Sequence, residues 1–377
     1  MPGGRYFVLV IASRGPPDGR GKISCRPSGG STRSPRHHEV APARRQGARP
    51  AGHEGYTGVL TAYGSSLDEY RYRIFGLGLA SAMELPELDG DDAPGEADVA
   101  IEVGSIPDGL LVTDRGLYYV AGDGWMVIEI PGAPRYLVEG GRRIVVEAGD
   151  FVSAKTVRIY LLGSVLAALC QQRGLLPLHA NAVVVDGRAY AFGGESGMGK
   201  STLAARFHDA GFQVLADDVC VVSRTAAGEF VAWSGIPRVK LWRDALEASG
   251  RVAAEHDNVL EQSDKYHVRL ERTTETEGAL PFAGLYALGR ADRDPPARIE
   301  RLRGAQAVTA LMQTTYRPHL LGATGKAGLH MQTCVELAQA GLVYRFVRRW
   351  GHDRFDTEFE RLREHLGMRA LEAVEAE

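Results

Sequence analysis

Gly194-Glu-Ser-Gly-Met-Gly199-Lys200-Ser201 satisfies GxxxxGK[ST] at every position, and few strings this short restrict a fold so tightly. The pattern works only as a turn between a buried strand and a helix. Its glycines let successive backbone N–H groups converge on one point, and the following helix aims the positive end of its dipole there. The flanking residues comply. Ala182–Val185 and Arg188–Phe192 read as a hairpin around the tight-turn pair Asp186-Gly187, and Lys200 to Ala210 reads as a helix stopped by Gly211. The loop therefore cradles phosphate, with Gly194, Glu195, Ser196, Gly197, Met198, Gly199, Lys200, Ser201 and Thr202 lining it. In such loops the lysine, here Lys200, reaches the β- and γ-phosphates, and the hydroxyl, here Ser201, is a ligand for magnesium.

Phe212–Leu215 reads as the next strand, and Asp217-Asp218 ends it. Ligands of open α/β sheets gather beyond the carboxyl ends of strands, so these carboxylates should face the phosphates. Neighbours on a strand point to opposite sides, so one is expected on magnesium and the other at the phosphoryl acceptor. His179 precedes Gly194 at the start of the hairpin that feeds the loop. Arg238 and Lys240, two apart on the strand Pro237–Trp242, share a face suited to neutralising phosphate charge, while Val239 and Leu241 point to the core. Arg317 and Arg269 are weaker candidates, and His208, His256 and His267 read as surface and packing residues.

The rest of the chain supplies context. Residues 1–55 carry ten basic residues against three acidic ones and lack apolar periodicity. They read as a disordered basic tail, or as an upstream extension from a misassigned start codon. Residues 56–153 read as a small β-rich domain, with strands at Tyr70–Phe75, Leu77–Ser81, Asp98–Val103, Gly109–Val112, Leu117–Val120, Trp125–Ile130 and Arg143–Glu147. Residues 154–377 read as the phosphate-loop domain. It opens with a helix over Lys155–Gln172 and adds helices near Asp244–Gly250, Gly304–Thr314 and Lys326–Ala340. Strands are expected at Leu285–Leu288 and Val343–Val347, and a final amphipathic helix carries Phe355, Phe359, Leu362 and Leu366. Net charge is −3, so nothing points to nucleic acid. Four scattered cysteines suit a reducing compartment, and the early apolar run Phe7–Ala12 is too short for a signal or a membrane span, so a cytoplasmic location is expected.

The order His179, Gly194–Ser201, Asp217-Asp218 resembles the kinase domain of the bacterial HPr kinase/phosphorylase family, related in fold to phosphoenolpyruvate carboxykinase. The resemblance implies an α/β phosphate-loop kinase domain preceded by a small β-rich domain, with ATP and magnesium as cofactors. It implies Asp217 as the residue taking the acceptor proton, Asp218 and Ser201 near the metal, and His179 in support. The Gly- and Ile-rich signature that comes after the Asp pair in that family is absent. Ser234–Trp242 (SGIPRVKLW), Tyr72–Glu87 and Arg173–Ala182 instead resemble the HPr-kinase-like proteins encoded beside lasso-peptide genes, some of which phosphorylate a C-terminal serine of the precursor peptide. The expectation is a serine kinase acting on a peptide or protein, with no membrane partner. A kinase of small molecules and a nucleotide-dependent regulatory or binding module stand as alternatives.

Overall fold

Short runs of alternating or continuous apolar residues, cut by Gly, Asp and Pro, fold into one broad sheet over the first part of the chain. The computed structural model describes residues 70–91, 96–149, 152–236, 238–259, 264–270, 278–291, 297–349 and 355–367, all within one compact unit. The tail expected over residues 1–55 lies outside the described residues. Strands β1 (Tyr70–Ile74), β2 (Leu77–Ser81), β3 (Val99–Val103), β4 (Asp114–Gly116), β5 (Tyr119–Gly122), β6 (Trp125–Glu129), β7 (Arg135–Glu139) and β8 (Arg143–Glu147) pair in the order β1-β2-β3-β8-β7-β6-β5-β4. The strand expected at Gly109–Val112 does not form. Leu111 is 80% exposed there, and ladder bonding begins only where the Thr113 N–H donates to the Ala121 carbonyl.

The helical pattern over Lys155–Gln172 becomes α1 (Ala154–Tyr160), a π turn (Leu161–Val165) and α2 (Leu166–Gln172). Ser153 caps it by accepting from the Thr156 N–H at 3.2 Å. Leu161, Leu162, Val165, Leu166 and Leu169 pack onto Ile74, Leu79, Ile101 and Ile144 of the first sheet. Val219, Val221, Tyr316 and Leu320, from much later in the chain, close the same core. At roughly 2 kcal/mol for each fully buried aliphatic chain, this shared core ties the first sheet firmly to the second half of the molecule.

The second region contains β9 (Leu176–Leu178), β10 (Ala180–Val185), β11 (Arg188–Gly193), α3 (Lys200–Asp209), β12 (Gln213–Ala216), β13 (Cys220–Arg224) and β14 (Phe230–Trp233). Next come β15 (Arg238–Trp242), α4 (Arg243–Ala248), β16 (Asp257–Asn258), β17 (Lys265–Arg269), β18 (Ala279–Ala291) and β19 (Arg298–Arg301). The remainder is α5 (Gly304–Thr314), α6 (Ala327–Gln339), β20 (Val343–Arg349) and α7 (Phe355–His365). Nine strands form one sheet in the order β12-β10-β11-β18-β14-β13-β9, with β20 beside β18 and β19 beside β20. Strands β11, β18 and β20 are mutually parallel. Asp186 and Gly187 both take positive φ, as the tight β10–β11 hairpin requires.

Side-chain size separates the two faces of this sheet. On β11 Ala189 and Ala191 face α5 and α6, with Ala307, Leu311, Cys334 and Leu337 opposite. Phe192 faces the other way, packing with Leu203 and Phe207 of α3 and Phe359 and Leu362 of α7. Helices thus cover both faces, as a parallel centre demands. A separate three-stranded sheet, β15-β17-β16, rests Val239, Leu241, Tyr266 and Val268 on α3 and α4, while Lys240 on its β15 strand reaches Asp217 and Asp218 beyond β12. No helix among the described residues is long and apolar enough to cross a membrane.

Candidate active site

The phosphate loop joins β11 to α3. Gly199 is the N-cap of α3 in the left-handed conformation, and Gly197 is also left-handed, with open space where a Cβ would stand. A side chain at Gly197 would be strained by its backbone and would crowd the concavity a phosphate must enter. Lys200 folds back into the loop, donating to the Gly194 carbonyl at 2.7 Å and the Glu195 carbonyl at 3.2 Å. Burial brings its pKa down to about 8, against the pull of Asp218.

Strand β10 separates β11 from β12 and is antiparallel to both, so β11 and β12 point the same way. Asp217 and Asp218 therefore arrive beside the loop. They do not simply alternate, because Asp218 has φ of +71° and the chain turns there. Asp217 is buried. Its Oδ1 accepts from Asn181 Nδ2 at 2.6 Å and lies 3.4 Å from Ser201 Oγ, and its Oδ2 accepts from the Lys240 backbone N–H at 2.9 Å. Asp218 is more open, with its side chain 26% exposed, and sits between His179 Nδ1 at 3.3 Å and Lys240 Nζ at 3.0 Å. The family resemblance pairs Ser201 with Asp218 near the metal. In the structure Ser201 meets Asp217, because the left-handed turn swings Asp218 to the opposite rim.

These environments push the two carboxyls apart. Burial raises Asp217 above the ordinary aspartate range, with Lys240 opposing and Asp218 reinforcing. Burial acts upward on Asp218 as well, but Lys240, His179 and Lys265 outweigh it and hold this carboxyl well below that range. Burial lowers His179, with Asp218 opposing, and its ring stands 5.4 Å from that of Tyr316. Arg238 and Lys240 lie on one face of β15, but they meet different partners. Arg238 reaches Glu87 of the first sheet's region at 4.0 Å, while Lys240 binds Asp218. Arg269 pairs with Asp89 at the surface, and Arg317 donates through Nε to Ser164 in the π turn at 3.0 Å. His208 and His256 are partly exposed.

Several neighbours escape sequence reading. Asn181 lies two residues beyond His179, so strand alternation from His179 is the signal that points to it. Its Oδ1 is buried without a hydrogen-bond partner. His267 is no remote packing residue. It lies opposite Lys240 across the β15–β17 ladder, and burial, with Arg238 and Lys240 adding to it, brings its pKa down to about 2. Arg348, at the far end of β20, donates to the Met198 carbonyl at 2.7 Å, and a Cβ at Gly199 would overlap its guanidinium. No local signal marks Arg348, since 150 residues separate it from Met198.

The residues fit both groups that the loop implies. A triphosphate finds convergent N–H groups at α3, an open concavity at Gly197 and the Lys200 cation. No group of three or more His, Cys, Asp or Glu able to hold a metal by itself occurs among the described residues. That suits magnesium, which binds through one or two carboxylates together with substrate phosphates. Ser201 and Asp217 are the oxygen ligands on hand beside the loop.

No protein-family profile matches the chain, and no curated protein matches it. Among solved structures the chain is similar to the HPr(Ser) kinase/phosphatase from Coxiella burnetii, at 14% identity and a TM-score of 0.27, over 50% of this chain and 95% of that one. A likeness that faint carries no weight, and the functional reading rests on the residues themselves.

Proposed function

We propose that this protein is an ATP- and magnesium-dependent kinase transferring the γ-phosphate to a serine-type hydroxyl. The reading rests most on one observation: beside a phosphate loop stand two adjacent carboxylates in contrasting settings, Asp217 against Ser201 and Asp218 at the more open rim. A nucleotide switch needs the first of these and has no evident use for the second.

In this reading Gly194–Thr202 hold the triphosphate, with Lys200 on the β- and γ-phosphates. Ser201 and Asp217 hold magnesium, which when bound neutralises phosphate charge. Asp218 receives the hydrogen bond of the incoming hydroxyl and then its proton. Its low pKa is no obstacle, because a loose phosphoryl-transfer transition state makes the hydroxyl acidic only late, so orientation outweighs basicity. Lys240 and His179 hold Asp218 in place, and Arg238 adds positive charge behind the pair. The two aspartates thus exchange the roles that family resemblance gives them.

The acceptor we favour is the C-terminal serine of a lasso-type precursor peptide, on the resemblance of Ser234–Trp242, Tyr72–Glu87 and Arg173–Ala182. An HPr-like protein and a small molecule are the competing acceptors. The test is incubation with ATP, magnesium and each candidate, then intact-mass analysis. Phosphorylation of the peptide is expected, and Lys200→Ala should lower the rate by about 10²–10³-fold. Transfer that survives Lys200→Ala at the parental rate would overturn the assignment. Tight ATP binding with no transfer to any hydroxyl would return the chain to a nucleotide-gated binding module.

A further inference from the structure

Opposite the phosphate loop, where β11, β18 and β20 begin, Arg188, Tyr190, Tyr286, Arg301, Tyr344 and His365 line a cavity of about 470 Å³. We infer that this cavity is a second anion-binding site, built for a compact phosphate-bearing polyanion and independent of the loop. Its lining offers two guanidinium groups, three phenol hydroxyls and an imidazole, and no carboxylate. Neither Arg188 nor Arg301 has a carboxylate partner among the described residues. Arg135, Arg143 and Arg251, by contrast, each hold a carboxylate.

The tyrosines, His365 and Arg301 are held in position beforehand. Tyr286 and Tyr344 stack at 4.8 Å with planes 9° apart, and His365 meets both edge-on at 5.8 Å. Arg301 donates to the Tyr344 hydroxyl at 3.0 Å and lies over its ring. Burial raises the pKa of Tyr286 and Tyr190, so both hydroxyls stay protonated as donors. An apolar occupant would leave these groups without a partner of their own polarity, and a cation would be repelled. Guanidinium forks match the oxygens of phosphate, and the volume exceeds what a single phosphate fills.

The experiment is calorimetric titration of the full chain with pyrophosphate in the absence of magnesium. Two classes of site are expected, one at the loop and one at the cavity. Lys200→Ala should weaken only the first. Arg188→Gln and Arg301→Gln should each weaken only the second by about tenfold, the size of one charge-assisted hydrogen bond. Tyr344→Phe, which keeps the stacked ring, should weaken it less and guards against misfolding in the arginine variants. A single class abolished by Lys200→Ala, or a cavity class indifferent to both arginines and Tyr344, would overturn the proposal. Failure of phosphoryl transfer would leave it standing, since neither arginine nor Tyr344 touches the loop.

Discussion

The first sheet and the loop region use the same charged residues in opposite ways. On the first sheet Arg143 forms two bonds to Glu102, both at 2.7 Å, and a third to Glu139 at 3.1 Å, while Arg135 bridges Glu129 and Glu147. These are cross-strand ladders at half-exposed positions, where each partner favours the charged state of the other. The Arg143 hydrogen bond lowers Glu102, and Glu102 raises Arg143. Around the loop, loss of water on burial lowers Lys200, Arg238, His267 and Arg348 instead, and at Lys200, Arg238 and Arg348 the nearby carboxylates only partly offset it. A surface ladder is at rest with its charges. In the proposed reading an incoming polyanion would offset that cost of burial, which is how a pocket stores affinity for phosphate.

The largest effect that could break this contrast lies in the Asp pair. Asp218→Asn should leave ATP binding near normal and cut transfer by about 10²–10⁴-fold, the range for losing a proton acceptor. Asp217→Asn should instead remove the magnesium-dependent part of ATP affinity. Calorimetry beside intact-mass analysis separates the two, and the reverse pattern would restore the roles inferred from family resemblance.

Next come two arginines compared directly. Arg348 is buried against Glu358 and the ring of Phe355, so Arg348→Met should cost about 3 kcal/mol by leaving a buried carboxylate underpaired. Arg143→Met on the exposed ladder should cost less than about 1 kcal/mol. Urea denaturation measures both, and equal costs would dissolve the distinction.

A smaller effect comes from Lys200. Its pKa near 8 in the free protein means the loop loses its cation as pH rises through that value. ATP affinity should be level below about pH 7 and fall by at most tenfold per pH unit above 8, with proton uptake on binding. Stability should move the other way. An unfolded lysine titrates near 10.5, so between about 8 and 10.5 the unfolded chain holds more protons and this group makes folding more favourable as pH rises. Buffers of different ionisation heat reveal the proton uptake, and a flat affinity profile from pH 7 to 9 would contradict it.

How legible each part is in the sequence depends on how local its signal is. Loop, helix and hairpin are written in consecutive residues, and so is Asp217-Asp218. Strand β9 is hidden by Pro177, which argues against a strand unless it lies at an edge. β9 is the edge, and Pro177 offers its carbonyl to the Tyr316 N–H. β18 shows only its central Leu285–Leu288, because its first residues pair with β14, its middle with β11 and its last with β20, each demanding a different pattern. The left-handed turn at Asp218 has no sequence mark, and it decides which carboxylate meets Ser201. Residues contributed from across the fold, Arg348 above all, have no address in the sequence.

That arginine changes where the proposed nucleotide site ends. By fixing the Met198 carbonyl it shapes the loop before anything binds, so the freedom lost in shaping is lost at folding and not at capture. Arg348 is steadied in turn by Phe355 and Glu358, both on the last helix. A chain cut just before Phe355 would keep every loop residue and still bind ATP poorly, so a defect at the C terminus would present itself as a defect in the phosphate loop.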